Sequence, residues 1–106
     1  MTYKLFLDDE RHPPDTDENS WIIARNYDEF VECLQMYGHP EFISFDHDLG
    51  PGNDGYDCAK WLALRCIDAS IDLPEYYVHS QNPVGANNIN FYLAATQKFI
   101  DSERLK

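Results

Sequence analysis

The stretch FISFDHDLG, Phe42 to Gly50, places a four-residue apolar run directly before Asp46, His47 and Asp48. A short apolar run bounded by turn residues reads as a core strand, and the Gly/Pro/Asn-rich LGPGNDG that follows cannot prolong it. Three ionisable groups in a row at the end of a buried strand demand a reason, because burying charge without a partner is costly.

The same pattern recurs on either side. YKLFL, Tyr3 to Leu7, is a second apolar run that stops at Asp8 and Asp9, as expected of a central strand buried on both faces. WIIAR, Trp21 to Arg25, and EYYVH, Glu75 to His79, read as two further strands. Between the first two lies ERHPPDTDENS, Glu10 to Ser20, whose two prolines and polar residues predict a loop placed to act as an active-site flap.

Helical periods separate the remaining strands. Asn26 with Glu29 three positions on has capping-box spacing, and Tyr27, Phe30, Val31 and Leu34 share one face of a helix that Gly38 and Pro40 terminate. A second helix is expected from about Tyr56 to Ala69. A third is marked by Ile89, Leu93, Thr96, Phe99 and Ile100, with Asn82, Pro83 and Gly85 shaping the turn before it. Strands alternating with helices predict parallel pairing, and right-handed crossovers restrict the topology to an open, doubly wound sheet of about four strands, three layers deep as α/β/α.

A chain of 106 residues, 43% hydrophobic and 14% aromatic, suffices for one domain and one core. Eight basic and nineteen acidic residues leave a net charge of −11, which disfavours broad binding to nucleic acid or anionic membrane. No leader and no spanning apolar run is read in the sequence, so a cytoplasmic protein is expected. Cys33, Cys58 and Cys66 have no metal-finger or CxxC spacing and read as buried thiols.

Ligands of open parallel sheets bind beyond the carboxyl ends of the strands. Asp8 and Asp9, Asp46, His47 and Asp48, and His79 and Ser80 all fall at such ends. Four carboxylates gathered there would repel one another unless a cation neutralised them, and an oxygen-rich set suits Mg²⁺ or Mn²⁺. Asp8, Asp9, Asp46 and Asp48 are therefore the expected metal ligands. The two imidazoles are placed to carry protons or to extend the coordination.

LFLDDER and FDHDLGPGNDG resemble the acidic pair and the phospho-acceptor segment of a receiver domain, with Ser80 where receivers carry Ser or Thr. Two departures speak against ordinary phosphorelay: a loop replaces the receiver's first helix, and no fifth strand is read to bring its lysine. LFLDDER, ISFDHDLG, GYDCAKWL and VHSQNPVGANNINFYL together resemble the divergent cyclic-phosphate processing receiver domains. The resemblance implies a receiver-like (flavodoxin-like) fold and metal-dependent opening of a cyclic phosphate carried by a nucleotide or ribose derivative. For such a reaction, His47 and His79 are expected to divide the proton work, Asp46 to take a catalytic place, Ser80, Asn82 and Asn88 to orient phosphate oxygens, and Arg11 to cover the transferred group. A module that binds a cyclic nucleotide without cutting it, and a residual phospho-acceptor at Asp46, are the alternatives.

Overall fold

Four strands form one parallel sheet: β1 (Lys4–Leu7), β2 (Trp21–Ala24), β3 (Phe42–Phe45) and β4 (Glu75–Val78), in the order β2-β1-β3-β4. The helices are α1 (Tyr27–Tyr37), α2 (Gly55–Ala69) and α3 (Pro83–Arg104). This is a computed structural model that describes residues 2–13 and 21–106, so most of the loop expected between β1 and β2 lies outside the described residues. Every described element was legible as strand or helix; most ends shift by about one residue, but α3 begins at Pro83, inside the stretch read as the turn before it.

Local chemistry accounts for the helix starts. Asn26 caps α1 by accepting from Glu29 N at 2.9 Å, and the Glu29 carboxylate reaches back to Arg25 N at 2.8 Å. Asp54 and Asp57 form a reciprocal capping box at the start of α2, and Asn82 accepts from Gly85 N at 3.0 Å to cap α3.

Alternation divides the sheet into two unlike faces. Leu5, Leu7, Ala24, Ile43 and Phe45 point to one side, where they pack with Phe30 and Leu34 of α1, Cys58 and Leu62 of α2, and Ile89 and Leu93 of α3. The three cysteines belong to this region as buried free thiols, and burial pushes the Cys66 thiol up to about 11. On the other side stand Phe6, Trp21, Phe42, Ser44 and Tyr77, which line a cavity of about 410 Å³.

The layering therefore differs from the expected α/β/α sandwich. All three described helices lie on a single face, with α2 packed between α1 and α3. The cause is crossover handedness. The β2-to-β3 and β3-to-β4 connections run in the same direction across the sheet, so right-handed paths place α1 and α2 on one face.

Candidate active site

The register carries the site. Phe6, Ser44 and Tyr77 pair as one row across β1, β3 and β4 on the face opposite the three described helices. Two residues further on, the next row on the same side is Asp8, Asp46 and His79. The ladder continues far enough to hold it, since Asp8 N donates to Ala24 O at 3.1 Å, Asp46 N to Leu7 O at 2.9 Å and His79 N to Phe45 O at 2.9 Å. Each of these three side chains offers a ligand atom, and the atoms all lie within 4.8 Å of one another.

Asp8 is 1% exposed and its carboxylate is saturated. Oδ1 accepts from Glu10 N at 2.9 Å and Arg11 N at 2.8 Å, while Oδ2 accepts from Arg11 Nε at 2.9 Å and faces His79 Nε2 at 3.0 Å. Burial pushes this carboxyl up, but the Arg11 and Glu10 backbone N–H groups, then His79 and the Arg11 charge, outweigh it and hold the group below its ordinary 3.8. Arg25 braces the same turn through Asp8 O at 2.9 Å and Arg11 O at 2.6 Å.

Asp46 is the opposite case. Burial first and the neighbouring Asp8 charge second push its carboxyl above 3.8, despite a 2.8 Å bond from His47 N. Arg11 gives it only a loose pairing, with the nearest guanidinium nitrogen 3.8 Å from Oδ2. An under-neutralised carboxylate, a saturated one and an imidazole in one cluster make a donor set that fits a divalent ion, with the nitrogen favouring Mn²⁺ over Mg²⁺.

His79 is clamped between Asp8 through Nε2 and Ser44 Oγ through Nδ1, the latter at 2.7 Å. Its ring also stacks on Phe6 at 4.7 Å with planes 2° apart. Without an ion Nε2–H donates to the Asp8 carboxylate; were an ion to take the Nε2 lone pair, the Ser44 hydroxyl stands where it could accept from Nδ1–H, the tautomer a metal-bound histidine requires. Ser44 is a site residue that sequence reading missed; its one signal was a lone hydroxyl inside the apolar run FISF.

The structure separates the two histidines. His47 follows Asp46 by one residue and leaves on the helix side, where its Nδ1 lies 3.0 Å from Asp48 Oδ1 and its Nε2 lies 3.5 Å from Asp54 Oδ2. The ring lies on the first turn of α3 so closely that a Cβ at Gly85 would stand 2.3 Å from its Cγ. At the start of α2 a Cβ on Gly55 would come 1.9 Å from Asp46 O, so only glycine lets that helix approach the strand end.

A cleft of about 340 Å³ opens over the cluster, lined by Asp8, Asp46 and Arg11 together with Asp9, Asp48 and Ser80. Asp9 and Asp48 are thus at the rim of the cleft and exposed, outside the compact three-residue cluster. Glu10 and Gln81, which the sequence did not single out, line it too. Ser80 Oγ accepts from Asn82 N at 3.1 Å, the Asn82 side chain is committed to the α3 cap, and Asn88 is exposed further along that helix, outside the lining.

A family model described as the cyclic-phosphate processing receiver domain matches residues 3–95. No curated protein and no solved structure matches the chain. No described helix is long and apolar enough to cross a membrane.

Proposed function

We propose, because the chain belongs to the cyclic-phosphate processing receiver domain family, that its strand-end cleft hydrolyses a cyclic phosphodiester of a nucleotide or ribose derivative. The observation that carries this reading is the row Asp8, Asp46 and His79, whose ligand atoms lie within 4.8 Å of one another beneath an open cleft. Asp8, Asp46 and His79 Nε2 would hold the divalent ion, and Asp9 and Asp48 stand at the rim to accept from its hydration shell. When bound, such an ion polarises a phosphoryl oxygen and makes water a better nucleophile.

The chain's own residues do the rest. With Nε2 on the ion, Ser44 Oγ would accept from His79 Nδ1–H across their 2.7 Å contact and fix the imidazole. Arg11, held over the cluster by Asp8, presents its remaining guanidinium N–H groups to the non-bridging phosphate oxygens, with Ser80 beside it. Asp48 takes the proton of the attacking water, and His47, bonded to Asp48, stabilises and stores it. The water oxygen bonds to phosphorus, the ring P–O bond breaks towards the ribose oxygen, and the stored proton ends on that oxygen. The product is a phosphomonoester.

The clamp on Asp8 favours one other reading. Arg11 and His79 together already occupy the Asp8 carboxylate without an ion, as a module that only binds the anion would need. The two separate on a panel of cyclic mononucleotides, cyclic dinucleotides and ribose cyclic phosphates, incubated with Mn²⁺ and wild type or His79→Ala. Ring opening by wild type alone is the expected result. A panel member that raises the melting temperature but is never opened would leave the binding module instead.

A further inference from the structure

We propose that the face of the sheet opposite the three described helices is a nucleobase pocket, so that the ligand of the strand-end cleft is a nucleoside cyclic phosphate and not a base-less ribose cyclic phosphate. This rests on the cleft being the phosphate site. The cavity of about 410 Å³ is within the range of small-ligand sites. Its wall is aromatic: Phe6 meets Trp21 edge-on at 5.7 Å, Trp21 meets Phe42 edge-on at 6.0 Å, and Tyr77 stands 62% exposed beside them.

Position selects the occupant. The row Phe6, Ser44 and Tyr77 lies one same-side step before the row Asp8, Asp46 and His79, a spacing of about 6.6 Å along a strand. Arg11 lines both cavities, and the His79 ring touches Asp8 on one side and stacks on Phe6 on the other. A ligand with its phosphate on the acidic row therefore extends its sugar and base over aromatic rings. The surroundings suit an uncharged π-system beside an anion: in a chain with only eight basic residues, Arg11 and His12 line this cavity and Lys4 Nζ lies 5.4 Å from the Trp21 ring centroid. Base stacking on such rings is a strong and sequence-tolerant contact.

The test uses Trp61→Phe as background, leaving Trp21 as the one tryptophan. Its emission is followed as adenosine, adenosine cyclic phosphates and the cyclic phosphate of methyl riboside are titrated in, and ring opening of the two cyclic phosphate classes is assayed with and without Tyr77→Ala. Tyr77 is exposed, so its truncation leaves the core intact. The expected result is quenching by adenosine, and a tenfold or greater weakening of adenosine and of its cyclic phosphates by Tyr77→Ala, with the methyl riboside compound unaffected. Equal use of both cyclic phosphate classes, insensitive to Tyr77→Ala and with no quenching by adenosine, overturns the base pocket while the cleft reading stands. Quenching by adenosine with no cyclic phosphate opened supports the pocket and removes the hydrolase.

Discussion

Replacing Asp8 by asparagine should destabilise the fold by roughly 2–4 kcal/mol and abolish ring opening. The carboxylate is buried and serves the backbone N–H groups of Glu10 and Arg11, the Arg11 guanidinium and His79. An amide accepts through one oxygen and turns its own N–H groups towards other donors, so at least one buried donor loses its partner. For a domain of this size the loss reads as a fall in melting temperature on the order of 10 °C or more. The pH dependence has a definite sign. A carboxyl held below 3.8 in the fold contributes stability above the unfolded value, lost as pH falls through the folded one. Thermal melts of wild type and Asp8→Asn should therefore differ most at neutral pH and converge in acid.

Asp46→Asn should behave in the opposite way in the metal-free protein. Its carboxyl is pushed above 3.8, so its contribution is fully present below the unfolded value and lost as pH rises through the folded one. At neutral pH the ionised group costs stability, and the neutral amide removes that cost. The variant should melt at or above the wild-type temperature without metal, with the difference vanishing below pH 3.8. Its functional effect should be severe. Losing one ligand oxygen from a three-residue cluster should weaken Mn²⁺ binding and ring opening by at least about a hundredfold. Melts with and without Mn²⁺ check both halves, because a bound ion stabilises wild type by about 2.7 kcal/mol at a hundredfold excess over Kd. A variant that keeps the full Mn²⁺ shift would remove Asp46 from the metal site.

The strands and helices were legible because each carries a local signal: apolar runs cut off by charge at Asp8 and Asp46, a cap at Asn26, a 3.6 period around Leu93. That the charged groups share one rim also followed from the parallel order. Register and sidedness did not. Asp8 and Asp9 are equivalent in sequence, yet continuing the β1 alternation sends Asp8 into the row with Asp46 and His79 and leaves Asp9 at the exposed rim. The same alternation parts His47 from His79, although both looked like proton carriers. Layering was not legible either, because the face a crossover traverses depends on strand order, and no local residue pattern states that. Phe6, Trp21, Phe42 and Tyr77, which the sequence shows only as members of strand runs, line a cavity.

The most direct test of the account is hydrolysis of an adenosine cyclic phosphate in ¹⁸O-labelled water, with Mn²⁺, followed by mass analysis of the product. Water attack at phosphorus in the Asp8, Asp46 and His79 cleft predicts a phosphomonoester carrying one ¹⁸O on its phosphoryl group, formed by wild type and lost on chelation or in Asp46→Asn. A monoester formed at the same rate after chelation and by Asp46→Asn, or no monoester from any cyclic phosphate, would contradict it.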